Sequence, residues 1–120
     1  MEEFEKLVIE KKPKAFYLCA TNHNPSEINL SMKQRNALYN LSMKHKFYLI
    51  ADDVYESMYF NEEARLPPLF YCNDENTKKF NEGAKFINHD LDSNPYVISL
   101  NSYSKIWIPG WRVVNFKNLN

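Results

Sequence analysis

Three short runs of consecutive apolar residues stand out along the chain, each bounded by polar or turn-forming positions. They extend from Ala15 to Ala20, from Phe47 to Ala51 and from Tyr96 to Leu100. None of them alternates cleanly between apolar and polar residues, and continuous runs of this kind are typical of strands buried on both faces of a parallel sheet. The pattern therefore predicts three strands of a sheet that helices cover.

A helix is predicted between the first two strands. Ser31 is a good N-cap, and Gln34 stands three residues later, which is the spacing of a capping box. An apolar stripe follows at helical spacing, and the last predicted turn carries cations, which suit the negative end of the helix dipole. The stripe consists of Ala37, Leu38 and Leu41, and the cations are Lys44, His45 and Lys46. Strand, helix and strand in this order predict a right-handed βαβ unit.

The segments on either side of this unit are less regular. Residues Met1 to Lys14 predict a short amphipathic helix that is broken at Pro13. Its apolar face would consist of Phe4, Leu7 and Val8. Residues 56–94 connect the second and third strands, and the part over 73–94 is polar and rich in Asn, Asp, Glu and Lys. That composition predicts a long surface loop or insertion.

Composition and charge narrow the range of functions. Lysine plus arginine and aspartate plus glutamate both number 15, so the formal net charge is zero, which argues against a nucleic-acid partner. The longest apolar runs are far too short for a membrane span, and the acidic N-terminus is not followed by the apolar core of a secretory signal. The two cysteines, Cys19 and Cys72, lie far apart and predict reduced thiols. We therefore expect a cytoplasmic protein, with a mitochondrial location left open.

Polar residues with useful chemistry follow each of the three predicted strands. Asn24 follows the first strand, Asp52, Asp53 and Tyr55 end the second, and Ser102, Ser104 and Lys105 follow the third, with Arg112 beyond. Because ligands of open parallel sheets bind outside the carboxyl ends of the strands, these groups are expected to converge on one crevice. They suit an anionic ligand that carries both a phosphate and a carbonyl. The histidines and cysteines do not have a metal-ligand spacing, so no metal site is predicted.

Three strings in this part of the chain resemble the class I/II aminotransferases, which are pyridoxal-phosphate-dependent enzymes of fold type I. They are N-H-N-P-S-E (Asn22 to Glu27), A-D-D-V-Y-E (Ala51 to Glu56) and S-Y-S-K-I-W-I-P-G-W-R (Ser102 to Arg112), in the family's order. The resemblance runs from about Pro13 to Val114 and covers well under half of a complete family member. It implies an α/β fold in which residues 1–120 form part of the large cofactor-binding domain, with an incomplete three-layer parallel (mixed) sheet.

The resemblance assigns roles to most of these residues. Lys105 would bond covalently to the aldehyde of pyridoxal 5'-phosphate and then carry the α-proton of the substrate. Asp52 would pair with the protonated pyridine nitrogen, since the family's D-x-x-Y spacing to Tyr55 selects it over Asp53. Tyr55 and Asn24 would donate hydrogen bonds to the phenolate oxygen of the cofactor. The phosphate would be bound by Ser102, Ser104 and Arg112.

The reaction that the resemblance implies is the transfer of an amino group between an amino acid and a 2-oxo acid. The chain would be part of a longer or multi-chain enzyme, which is expected to be a homodimer when complete. Two alternatives stay open: a catalytically inactive, truncated remnant of such an enzyme, and a flavodoxin-like binding module with a self-sufficient sheet.

The departures from the family pattern include two positions where glycine is expected. Glu27 stands where the family has glycine, which costs strain if this position needs a positive φ angle. Val114 likewise stands where the family usually has a glycine, two residues after Arg112.

Overall fold

The computed structural model describes residues 1–61, 66–82, 94–107 and 114–117, in which helices and strands alternate along most of the chain. The helices are α1 (Glu2–Lys11), α2 (Met32–His45) and α3 (Asp74–Asn81), and there are 3-10 turns at Leu69–Tyr71 and Tyr103–Lys105. The strands are β1 (Ala15–Leu18), β2 (Tyr48–Asp52), β3 (Val97–Ser102) and β4 (Val114–Lys117). The chain is therefore α/β, as predicted.

The described strands form one mixed sheet in the order β1-β2-β3-β4. β1, β2 and β3 are parallel, and β4 runs antiparallel to β3. The three predicted strands are confirmed, although β1 ends at Leu18 and β3 continues to Ser102. A flavodoxin-like sheet has its first strand inside the sheet, whereas β1 lies at the edge of the described one. The topology thus does not support the flavodoxin-like alternative.

Helix α2 begins and packs as its sequence predicts. Ser31 Oγ accepts a hydrogen bond from the backbone N–H of Gln34, and Gln34 Oε1 accepts one from the backbone N–H of Ser31, so the capping box is present. Leu38 and Leu41 of the predicted stripe are buried, while Ala37 is half-buried. The helix therefore covers the sheet through the stripe that its sequence marks.

The described helices and the core lie on one face of the sheet. Successive side chains of a strand point to opposite faces, and Leu49 and Ala51 of β2 are fully buried in a cluster with residues of α1, α2 and the turn at Leu69–Tyr71. On the opposite face, Tyr17 and Tyr48 are 59% and 44% exposed. The prediction that the strands are buried on both faces is therefore wrong for the part of the chain that the structure describes.

Helix α1 packs onto the same core. Val8 is 4% exposed, and the ring centroid of Phe4 lies 4.9 Å from that of Phe16 and 6.5 Å from that of Phe47. Leu7 is 52% exposed, so the predicted apolar face is correct at Phe4 and Val8 and wrong at Leu7. Residues three or four positions apart are neighbours on the surface of a helix, which explains why Phe4 and Val8 share a face.

A carboxylate of α1 contacts the cationic last turn of α2. Glu5 Oε1 accepts a hydrogen bond from Lys44 Nζ at 2.8 Å and lies 3.0 Å from His45 Nε2. The hydrogen bonds to Lys44 and His45 lower the pKa of Glu5. The cations predicted for the helix end therefore also hold α1 in place.

Helix α3 lies in the first part of the stretch where the sequence predicts a surface loop. The loop prediction over 73–94 is wrong for Asp74–Asn81, and residues 83–93 lie outside the described ranges. Asp74 Oδ1 accepts hydrogen bonds from Asn36 Nδ2 at 2.9 Å and Asn40 Nδ2 at 3.0 Å, which dock α3 on α2. Among the described helices, none has the length and apolar composition of a membrane span.

Candidate cofactor site

The carboxyl ends of the three parallel strands meet at one edge of the sheet. Asp52, the last residue of β2, pairs in register with Leu100 of β3, close to Ser102 at the end of that strand. The loop that follows β1 reaches the same edge, because Asn22 Nδ2 donates a hydrogen bond to the carbonyl of Met58 at 2.6 Å. The ends of β2 and β3 and the loop after β1 therefore belong to one region of the fold.

Tyr55 is at the centre of this region. Asn24 Nδ2 donates a 3.4 Å hydrogen bond to the Tyr55 hydroxyl, and Lys105 Nζ lies 5.7 Å from the centroid of the Tyr55 ring. The second contact has the geometry of a cation–π pair. Lys105 is exposed at the end of the 3-10 turn that follows β3, so its amine is accessible. The structure thus brings an amide, a phenol and a primary amine together.

Asp52 is half-buried and faces the side of the sheet opposite the core. Its Oδ2 accepts a hydrogen bond from the Tyr17 hydroxyl, and its Oδ1 lies 3.5 Å from the backbone nitrogen of Val54. The hydrogen bond to Asp52, followed by burial, raises the pKa of Tyr17 to about 12. Tyr17 is a residue that the sequence analysis did not single out. The parallel register that places it beside Asp52 has no signal in the sequence.

Asp53 points the other way, into the core. It is 0% exposed, and Ser99 Oγ donates a 2.6 Å hydrogen bond to its Oδ2. Burial raises the pKa of Asp53, and the hydrogen bond from Ser99 and the charge of Arg35 oppose this shift. Within the described residues its Oδ1 has no hydrogen-bond partner. Of the two carboxylates, Asp52 is therefore the more exposed, whereas Asp53 is enclosed in the core.

The segment that carries Lys105 is shaped by the serines before it. Ser102 Oγ accepts a 3.2 Å hydrogen bond from the backbone N–H of Ser104, which caps the 3-10 turn Tyr103–Lys105. Ser102 and Ser104 are both half-buried at the carboxyl end of β3. Arg112, the third residue predicted to bind the phosphate, lies outside the described residues.

Arg35 fixes the loop that carries Asn24. Its guanidinium is 0% exposed and donates hydrogen bonds to the backbone carbonyls of Leu30 at 2.7 Å, Ala20 at 2.6 Å and Pro67 at 2.9 Å. It also donates to Thr21 Oγ1 at 2.8 Å. Ala20 and Thr21 precede the loop and Leu30 ends it, so one side chain holds both ends.

The structural role of Arg35 was not predicted from the sequence, although its position on the helix indicates that it is buried. Arg35 is three residues after Met32 and three before Leu38, so it falls on the buried stripe of α2. Burial lowers the pKa of Arg35, and nearby acidic groups, Asp53 among them, act against this shift. A cation at a core position of a helix indicates that hydrogen-bond acceptors surround it, because burying an unpaired charge costs much free energy.

Glu27 has the backbone conformation that the family's glycine would suit. Its φ angle is 57°, in the left-handed region, and its backbone N–H donates a 2.6 Å hydrogen bond to the carbonyl of His23. The turn that follows Asn24 therefore needs a positive φ at this position, where a side chain with a Cβ is disfavoured.

The donor groups at this edge fit the chemistry of pyridoxal phosphate. An accessible amine can bond to an aldehyde, a phenol and an amide can donate to a phenolate oxygen, and a carboxylate can pair with a protonated ring nitrogen. Lys105, Tyr55, Asn24 and Asp52 supply these groups at the carboxyl ends of neighbouring strands. These positions suit a ligand held at a strand-end crevice.

Comparison with known proteins places the chain in a family. The family model described as aminotransferase class I and II matches residues 1–114, so the chain belongs to that family. The resemblance drawn from the three strings is thereby confirmed.

Relatives and solved structures agree with this assignment. The chain is 31% identical to aromatic amino acid aminotransferase 2 of Saccharomyces cerevisiae over 106 residues, which cover 85% of this chain and 21% of that protein. It is 30% identical to 2-aminoadipate transaminase of Thermus thermophilus over 113 residues, which cover 94% of this chain and 24% of that protein. The crystal structure of LysN, the α-aminoadipate aminotransferase of Thermus thermophilus, superposes with a TM-score of 0.72 at 28% identity, over 98% of this chain and 26% of LysN. The chain thus spans about a fifth to a quarter of the length of these relatives.

Proposed function

We propose that this chain forms part of the cofactor-binding domain of a pyridoxal-phosphate-dependent transaminase and that Lys105 is the residue that bonds to the cofactor. The observation that carries the proposal is the cluster of Asn24, Tyr55 and Lys105 at the carboxyl edge of a parallel sheet. The structure of LysN contains N-(5'-phosphopyridoxyl)-L-leucine, a cofactor derivative joined to an amino acid. That complex supports the same class of ligand for this chain.

The proposal gives a role to each residue of the cluster and to the other residues predicted at this edge. When bound, pyridoxal phosphate supplies an electron sink for the bonding electrons of the substrate's α-carbon. Lys105 Nζ would hold the cofactor through its aldehyde carbon and would carry a proton to and from the α-carbon of the substrate. Tyr55 and Asn24 would donate hydrogen bonds to the phenolate oxygen, and Asp52 would pair with the protonated ring nitrogen. The proposed phosphate ligands are Ser102, Ser104 and Arg112.

The Lys105 amine has a different contact from two lysines on the helices. Its Nζ lies 5.7 Å from the centroid of the Tyr55 ring, whereas Lys44 and Lys79 form ion pairs with Glu5 and Glu75. This placement distinguishes Lys105 from the lysines that pair with carboxylates on the helices.

The proposed reaction transfers an amino group between an amino acid and a 2-oxo acid, and the complete enzyme is proposed to be a homodimer. The relatives named for aromatic amino acids and for 2-aminoadipate suggest substrates with a long or aromatic side chain. Since the chain spans about a fifth to a quarter of their length, the substrate pocket of the complete enzyme would include other segments.

Reductive labelling tests the role of Lys105. The chain is mixed with pyridoxal phosphate, treated with borohydride to reduce the C=N bond, and digested for peptide mapping. We expect the label on Lys105, and we expect Lys105→Arg to lose it while Lys44→Arg retains it. A label spread evenly over surface lysines such as Lys33 and Lys44 would contradict the proposal.

A second measurement separates a working enzyme from an inactive remnant. The chain, with cofactor, is supplied with an amino acid and a 2-oxo acid, and the formation of the new amino acid is followed. Labelling of Lys105 with turnover that Lys105→Ala abolishes would support the transaminase. Labelling of Lys105 without turnover, both alone and with any flanking segments of the gene product, would favour the remnant.

A further inference from the structure

Tyr17 lies on the open face of the sheet, on the strand next to the one that ends in Asp52. In the parallel register Tyr17 pairs with Ile50, so Asp52 is two residues further along the neighbouring strand and on the same face. The Tyr17 side chain is long enough to cross this diagonal, and its hydroxyl donates a hydrogen bond to Asp52 Oδ2. The contact joins residues 35 positions apart in sequence.

We propose that Tyr17 is a positioning residue that orients the Asp52 carboxylate toward the ring nitrogen of the cofactor. This inference rests on the proposed function, because it gives Asp52 a ligand to face. It concerns a residue that touches Asp52 and has no assigned contact with the cofactor.

Among the described residues, the hydrogen bonds of Asp52 leave Oδ1 with capacity to accept one from a ligand. The Tyr17 hydroxyl occupies Oδ2, whereas the backbone nitrogen of Val54 lies 3.5 Å from Oδ1, at the limit of a hydrogen bond. A carboxylate oxygen can accept more than one hydrogen bond, so Oδ1 can take an N–H donor from a ring. With Oδ2 bonded to Tyr17, rotation of the carboxylate is restricted, which favours one direction for Oδ1.

The charge arrangement agrees with this role. A phenol that donates to a carboxylate gains from remaining protonated, and the hydrogen bond to Asp52 raises the pKa of Tyr17 to about 12. Tyr17 therefore stays a neutral donor throughout the pH range in which such a protein works. Side chains that hold a ligand in this way set its geometry without taking part in the chemistry.

A tyrosine titration tests the contact without any cofactor. The chain has eight tyrosines, and the ultraviolet absorbance of tyrosinate reports how many are ionised at each pH. Comparison with Tyr17→Phe identifies the ionisation of Tyr17, which is expected at raised pH and should shift to lower pH in Asp52→Asn. Tyr48→Phe removes a hydroxyl from the same face of the sheet and is expected to leave that ionisation in place. An unchanged Tyr17 ionisation in Asp52→Asn would overturn the proposal.

Cofactor affinity, measured by equilibrium dialysis with pyridoxal phosphate, tests the positioning. Because a single hydrogen bond contributes modestly, Tyr17→Phe should weaken binding about three- to tenfold. Tyr48→Phe should bind like the original chain, and Tyr17→Phe should add nothing in a chain that already carries Asp52→Asn. Circular dichroism and the urea midpoint of each variant identify any that fail to fold.

The outcomes separate the two proposals. Normal affinity in Tyr17→Phe, with binding intact in the original chain, would overturn the positioning role and leave the proposed function standing. If the original chain binds no cofactor while the titration arm behaves as expected, the Tyr17–Asp52 contact is real, but the proposed function and the positioning role both fail.

Discussion

Ser99 donates its hydroxyl to the carboxylate of Asp53 at 2.6 Å, inside the core and between neighbouring strands. Asp52, one residue earlier, points to the opposite face, where it meets Tyr17. Two adjacent carboxylates therefore have different surroundings, since side chains alternate along an extended segment. The buried one belongs to the core network and the accessible one to the candidate site.

The buried carboxylate predicts an unusual dependence of stability on pH. Burial raises the pKa of Asp53 above the ordinary 3.8, so Asp53 stabilises the fold fully below that value and progressively less as pH rises through its folded-state pKa. Asp53→Asn removes this titration. We expect the urea-derived free energy of unfolding of the original chain to fall, relative to Asp53→Asn, as pH increases from mildly acidic toward neutral. Parallel pH profiles for the two proteins would show that Asp53 does not titrate in this range.

Substitution of the accessible carboxylate, Asp52, is expected to impair catalysis. In any form of the protein that turns over, Asp52→Asn should retain measurable cofactor binding but lose about 10²–10³ in kcat, because the ring nitrogen is no longer held in its protonated form. Asp53→Asn should affect kcat much less. Steady-state kinetics of both variants check this, and equal losses would mean that the wrong carboxylate was chosen or that the damage is structural.

Arg35 predicts a large loss of stability upon substitution. Arg35→Met leaves the carbonyls of Ala20 and Pro67 without their donor and removes the cation near Asp53, which should lower the free energy of unfolding by about 3–5 kcal/mol. Arg35→Lys should recover only part of this, since an ammonium group cannot reach acceptors that the guanidinium spans. Urea unfolding measures the change, with Lys33→Met on the exposed side of α2 as the control. A loss below about 1 kcal/mol in Arg35→Met would contradict the assigned role.

The positive φ angle of Glu27 predicts that glycine at position 27 stabilises the protein. Its φ angle of 57° costs about 1–2 kcal/mol for a residue with a Cβ. Glycine removes this cost, but its greater conformational freedom in the unfolded chain cancels part of the benefit. Glu27→Gly should therefore stabilise the protein by about 0.5–1 kcal/mol. The matched control is Glu27→Ala, which keeps the Cβ and should not stabilise. Equal effects of the two substitutions on the urea midpoint would show that backbone strain is not the cause.

Local features of the fold were predictable from the sequence because their causes lie within a few residues. The capping box of Ser31 and Gln34 depends on a three-residue spacing, and the burial of Leu38 and Leu41 follows from the helical repeat. Both can be recognised without knowing where other segments lie. The same holds for the three strands, whose apolar runs are continuous.

Features that depend on pairing between distant segments were not predictable. The contact of Tyr17 with Asp52 follows from the register of β1 on β2, and a shift by one residue would send the tyrosine to the other face. Helix α3 was misread as a loop because its polar composition conceals the contacts of Asp74 with Asn36 on α2. The exposure of Tyr48 was also not predictable, because an apolar run does not show whether one face of the sheet or both are covered.

The order of the strands has a consequence for how the protein is made. Among the described strands, β2, β3 and β4 each pair with the strand synthesised just before, so this part of the sheet can grow at one edge as the chain leaves the ribosome. Asn24 and Asp52 can be in position while the nascent chain still lacks Lys105. The amine that would bond to the aldehyde is therefore the last of these three groups to emerge.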